Sequence, residues 1–168
     1  MARTRKTPNP EETKYCTVKG IVACSKFISV NSMLGATKHK GGKRRKTPEC
    51  YEEIDTLNQS LEDAGFVRNS LDNDHYYSLS LVFYLKDGFG RRDVDNMLKV
   101  VVDVLSRYFG FNDNRVISYK HCKRQIVNFE DEYPREYLYF TIEQVARQKS
   151  ELEIDYKDFQ EWVQSEKC

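Results

Sequence analysis

The sequence predicts a small α/β (α+β) domain, a mixed sheet of about four strands carrying two main helices, because two different periodicities follow each other along one chain. Between His75 and Lys86, Tyr77, Leu79, Leu81, Phe83 and Leu85 alternate with Tyr76, Ser78, Ser80, Val82 and Tyr84, the period of a half-buried strand. Shortly after it, Met97, Leu98, Val101, Val104, Leu105 and Tyr108 recur at helical spacing and form one apolar stripe. A chain of 168 residues, 39% hydrophobic and 12% aromatic, can bury one core but not two comfortable ones.

The elements read as follows. Residues 1–14 are polar, basic and proline-containing, and are expected to form a disordered leader to a domain spanning 15–145. Val18 to Ile28, rich in Val, Ile and Phe, predicts the first strand. It runs out into a basic loop over 35–47, expected to be mobile, with the pair Gly41-Gly42 and a lysine-arginine cluster. Thr47-Pro48 supplies an N-cap followed by proline at the first helical position, and Tyr51, Ile54, Leu57, Leu61 and Ala64 continue at helical intervals to Gly65. The first helix is therefore placed at about 48–64, and the second at about 94–108, closed by Gly110. Arg115 to Gln125 and Glu136 to Val145 predict two more strands. Residues 146–168 form a charged extension in which Leu152, Tyr156, Phe159 and Val163 share one face of a short amphipathic helix.

The net charge of +1 conceals an uneven distribution. Residues 1–48 hold twelve Lys or Arg against two Glu, a balance of +10, so the remaining 120 residues sum to −9. A basic arm on an acidic body suits a protein that grips phosphates with one segment and gathers carboxylates in another. A solvated tail or a nuclear-type address would carry the same charge. No stretch approaches the roughly 20 apolar residues that span a bilayer. The start has no apolar signal core, so no membrane partner and a cytoplasmic location are expected. The five cysteines, Cys16, Cys24, Cys50, Cys122 and Cys168, form no CxxC pair and are odd in number, which points to neither a disulfide framework nor a zinc site.

Chemistry concentrates in RRDVDNMLKVVVD and in NDN at 112–114. Asp95, Lys99 and Asp103 stand at i, i+4 and i+8, opposite the apolar stripe. Asp93 would point about 200° away from Asp95 inside a helix, and joins that face only if it sits at the N-cap or just before it. Hard cations such as Mg²⁺ take oxygen ligands and keep several waters, so two or three carboxylates can hold one against a phosphate. By spacing alone, however, a DxD at a helix start reads first as an N-cap with a favourable charge near the dipole, and Asp95 to Lys99 as an ordinary surface pair.

The longer stretch GRRDVDNMLKVVVDVLSRYFGFNDNRV resembles the signature of RusA-type Holliday-junction resolvases, in which an (R)DxDNxxK segment opens a helix bearing a later Asp, followed by an acidic pair and a Val-rich strand. Ser29, Val30 and Asn31, leaving the first strand before a basic loop and a helix with an early Tyr51, extend the likeness to about residues 18–143. The resemblance implies a RusA-like homodimer that cuts four-way branched DNA by paired, symmetric phosphodiester hydrolysis in recombination and repair, nucleoid-associated or phage-encoded. It implies Asp93, Asp95 and Asp113 as ligands of Mg²⁺, with Mn²⁺ as the other candidate, and Lys99 as the essential basic residue. Asn96 and Asp103 are secondary candidates. Asn31, Lys38, Lys40, Lys43, Arg44, Arg45, Lys46, Arg91 and Arg92 would contact DNA. Asn112 stands where the family usually has the first acid of a DD pair. His39, His75 and His121 lack metal-ligand spacing and are expected to be incidental or structural. A nuclease for flaps or forks, or a catalytically silent DNA-binding dimer, fits the same residues.

Overall fold

The computed structural model describes residues 15–28, 46–87, 89–126 and 135–153, together with 158, 160, 161 and 164. Four strands, β1 (Thr17–Cys24), β2 (Tyr76–Leu85), β3 (Val116–Gln125) and β4 (Glu136–Ala146), form one mixed sheet in the order β1-β4-β2-β3. β4 pairs antiparallel with both β1 and β2, whereas β3 runs parallel to β2 on the edge. Among the described residues, two helices are bounded at both ends, α1 (Pro48–Asp63) and α2 (Val94–Phe109). A parallel pair needs a crossover rather than a hairpin, and α2 supplies it between β2 and β3.

Each helix ends where local chemistry stops it. The Thr47 hydroxyl accepts the Cys50 N–H at 3.3 Å and Pro48 opens the first turn, where its missing N–H costs nothing. At the end of α2, Gly110 adopts φ 85° and donates its N–H to the Ser106 carbonyl at 2.9 Å. A side chain would be strained there, which is why glycine ends the helix.

The strand predicted to reach Ile28 leaves the ladder at Cys24. The physical reason is a change of partner: the Phe27 N–H goes to the Glu136 carboxylate at 2.8 Å instead of a neighbouring strand, while the Phe27 ring stays fully buried. β4 runs one residue beyond the expected end, and a short 3-10 turn, Lys149–Glu151, follows. Asp158, Gln160, Glu161 and Gln164 are helical, as the amphipathic pattern expects; the rest of the extension beyond 153, the leader and residues 29–45 of the basic loop lie outside the described residues.

One face of the sheet makes the core. Tyr77, Leu79, Leu81, Phe83 and Leu85 of β2 and Leu138, Phe140 and Ile142 of β4 are buried against Leu57 and Leu61 of α1 and Met97, Val101, Leu105 and Phe109 of α2. Phe66 closes this core beside β1, its ring packed on Phe109 and Phe140. A Cβ on Gly20 would lie 2.3 Å from Phe66 Cζ. The ring must shift out of its packing on Phe109 and Phe140 to admit a methyl, so Gly20→Ala is expected to destabilise the fold by about 1–3 kcal/mol, the range for overpacking, measurable as a lower urea midpoint at unchanged slope.

Glu53 of α1 is fully buried. One carboxyl oxygen accepts the Ile28 N–H at 3.2 Å, and the other has no hydrogen-bond partner among the described residues. Burial pushes its pKa up to about 8, with the Ile28 N–H acting against the shift and Glu136 adding to it. The folded chain therefore keeps Glu53 neutral at pH 7, whereas the unfolded chain ionises it above its ordinary value of 4.5. Below pH 4.5 both states hold the proton. Between 4.5 and about 8 only the folded state does, so stability falls as pH rises, by at most ~1.4 kcal/mol per unit for one group, and the effect levels off above the folded value. Glu53→Gln is expected to remove this slope, so that its melting temperature gains on the wild type between pH 5 and pH 8. Parallel melting curves across that range would count against a neutral Glu53.

Candidate active site

α2 begins directly after Asp93, which occupies the N-cap with extended backbone but makes no side-chain cap hydrogen bond. Its carboxylate instead lies 3.4 Å from the Asn96 amide nitrogen. The bland role of a DxD at a helix start is thus not the role Asp93 has. Asp95 follows in the first turn, with its side chain 85% exposed.

Along the flank of α2 that faces β3, Asp95, Lys99 and Asp103 line a hollow of about 290 Å³ together with Asp113 and Tyr119, over a floor of Leu98 and Val102. Asp113 reaches it from the 3-10 turn Asp113–Arg115 that follows α2. Asn112 caps that turn by accepting the Asn114 N–H at 3.2 Å, so the residue that departs from the expected acidic pair has a use in holding Asp113. Burial, then the Asp113 and Asp103 carboxylates, push the Tyr119 hydroxyl above its ordinary pKa. The groove is lined by three carboxylates and one ammonium.

Asp93 is exposed but does not line this hollow. Among the described residues no three His, Cys, Asp or Glu side chains converge on a metal-binding point. The donors nonetheless suit a hard cation in kind: Asp93, Asp95 and Asp113 offer oxygen only, and all three are exposed. Lys99 is exposed and, among the described residues, makes no ion pair with Asp95 or any other acid. The expected i,i+4 pair is absent because Asp95 turns elsewhere.

It turns to His121. His121 Nε2 lies 2.9 Å from Asp95 Oδ1, across from β3 to the start of α2. On the same face of β3, two residues on, Lys123 donates to the Phe89 and Arg92 carbonyls and lies 4.9 Å from the Phe89 ring centroid. One side of the edge strand thus holds both the approach to α2 and its first-turn carboxylate. The sequence reading took His121 as incidental or structural and did not single out Lys123. Their two-residue spacing was a usable signal, since alternate strand residues share a face; nothing local indicated that this face meets α2. His75 is accounted for structurally, with Nδ1 2.8 Å from Asp72 Oδ1 at the entry to β2.

The adjacent arginines expected to contact DNA are placed differently. Arg91 is exposed. Arg92 is turned inward: one guanidinium nitrogen donates to Phe27 O at 3.0 Å and Glu136 Oε2 at 2.7 Å, and the other reaches the Asp87 carbonyl, Asp87 Oδ1 at 2.9 Å and Glu136 Oε1. Both terminal nitrogens are thus engaged inside the protein, while the buried Nε has no partner among the described residues, so Arg92 anchors the loop before Asp93 and does not face outward as Arg91 does. Lys46 is half-buried just before α1, and Asn31, Lys38, Lys40, Lys43, Arg44 and Arg45 lie outside the described residues.

The fold and the groove together define a mixed α/β domain with exposed oxygen donors and an uncommitted lysine beside one helix. No protein-family model matches the chain, and no curated protein matches its sequence. Among the described residues no helix is long and apolar enough to cross a membrane.

Proposed function

We propose that the chain is a metal-dependent endodeoxyribonuclease of the RusA type, resolving four-way branched DNA as a symmetric homodimer. The observation that carries this reading is the hollow lined together by Lys99, Asp95, Asp103 and Asp113, with an Asp93 carboxylate at the start of the same helix that makes no side-chain cap hydrogen bond. A structural salt-bridge network would have paired Lys99; a phosphate-cleaving site leaves it open.

Asp93, Asp95 and Asp113 would hold Mg²⁺, or Mn²⁺ in its place. The bound metal supplies a water of lowered pKa and neutralises charge that builds on phosphorus. Lys99 contributes a compact ammonium one helical turn beyond Asp95, where it offsets the repulsion among the acids and contacts the scissile phosphate. His121 holds the Asp95 carboxylate in place, and Lys123 and Arg92 fix the loop that presents Asp93. A preorganised set loses less on forming the transition state than one that must be assembled from mobile loops.

Incubation of the full chain with a synthetic four-way junction, a Y-shaped fork and plain duplex, each with and without Mg²⁺, tests the reading. Paired symmetric nicks in the junction alone, dependent on the metal, are expected. Cutting of the fork in preference would redirect the substrate to flaps and forks, and binding without cutting in Mg²⁺ would leave a silent DNA-binding protein.

A further inference from the structure

The carboxylate hollow takes up only part of a charge row on α2. Asp95, Lys99, Asp103 and Arg107 follow at four-residue spacing, and each step advances about 6 Å and turns about 40° around the helix. The row therefore winds as it advances, and its ends meet different neighbours. Asp95 and Lys99 face the hollow beside β3, whereas Arg107 lines a cavity of about 230 Å³ in the cleft between α1 and α2. Asp103 lines both, and a third hollow of about 370 Å³ shares Asp103, Arg107 and Asp113. The three hollows are thus neighbours along α2, linked by the residues that they share.

Cations from three separate segments line the cleft: Lys46 just before α1, Arg68 after α1, and Arg107. Asp103 is the one carboxylate among its lining residues. Arg68 is held in place, its guanidinium 4.6 Å from the Tyr108 ring centroid and hydrogen-bonded to Glu62. Arg107 is exposed and, among the described residues, makes no ion pair. Ile54, Val100 and Val104 give the cleft an apolar wall, against which charge interactions are less screened than in open water. Guanidinium groups so arranged suit the oxygens of a phosphate.

We propose that the α1–α2 cleft is a second site for a backbone phosphate of DNA, where Arg107, with Arg68 and Lys46, holds a strand that leaves the carboxylate groove along α2. The identity of this polyanion rests on the nuclease reading above. Twelve residues separate Asp95 from Arg107, about 18 Å of helix axis. At roughly 3.4 Å per nucleotide along one strand, the held phosphate lies about five nucleotides into an arm, away from the scissile bond.

Anisotropy of a fluorescein-labelled four-way junction, titrated with salt in the absence of Mg²⁺, tests this in the full chain. Arg107→Gln is expected to weaken binding and to flatten the slope of log affinity against log salt by about 0.9, one phosphate contact. Lys46→Gln, which leaves α2 untouched, should do the same. Lys19→Gln, on the exposed side of β1, should leave the slope unchanged. An unaltered slope for both cleft variants, or equal flattening by Lys19→Gln, overturns the site. Cleavage in Mg²⁺ by the wild type is scored separately. Flattening without cutting keeps the site and sinks the nuclease; cutting with an unchanged slope does the reverse; a wild type that binds no junction sinks both.

Discussion

Arg92→Ala is expected to destabilise the chain by about 3–5 kcal/mol, the cost of removing one partner from a buried ion pair. Glu136 is 2% exposed, and among the described residues its carboxylate would be left with the Phe27 and Lys86 N–H groups, at 2.8 and 3.1 Å. Those two bonds do not cancel a buried negative charge. Arg92→Lys should recover little, since a single ammonium cannot reach Phe27, Asp87 and both oxygens of Glu136 as a planar fork does. The neighbouring Arg91→Ala, at an exposed position, should stay within about 0.5 kcal/mol of wild type. Urea denaturation of the three variants at neutral pH checks this. Equal stability of Arg91→Ala and Arg92→Ala would mean that the inward guanidinium contributes nothing.

The second large effect is catalytic. Asp93→Asn, Asp95→Asn and Asp113→Asn are each expected to abolish cutting in Mg²⁺ while leaving junction binding intact or tighter, since a negative charge near DNA is removed. Lys99→Ala should slow single-turnover cleavage by roughly 10²-fold or more, the range for losing one preorganised electrostatic contact. Because Lys99 is exposed and makes no ion pair among the described residues, its removal should not move the melting temperature. That combination separates it from Arg92, whose loss acts through the fold. Near-normal cleavage by all three Asp variants would refute the ligand set. A Lys99→Ala rate within about threefold of wild type, under roughly 0.7 kcal/mol by transition-state arithmetic, would reduce Lys99 to a surface charge.

The sequence by itself determined the elements and the row of charges along α2. Alternation in β2, the apolar stripe of α2, Thr47-Pro48 and Gly110 are short-range signals, and a repeat of two or 3.6 residues is written into neighbouring positions. For the same reason Asp95, Lys99 and Asp103 were legible as one flank of a helix, and the hollow beside β3 gathers them with Asp113. The strand order β1-β4-β2-β3 was not legible, and whatever depends on it was missed. Arg91 and Arg92 are adjacent and chemically identical, yet only Arg92 meets Glu136, 44 residues away. His121 and Lys123 look like any polar residues of an edge strand until β3 is laid parallel to β2 and α2 crosses beside it. Glu53 reads as a solvent-facing helix acid until Ile28 and the end of β1 cover it. Local periodicity fixes which way a side chain points from its own element, but the group it meets is chosen by packing between distant segments, which leaves no mark at either position.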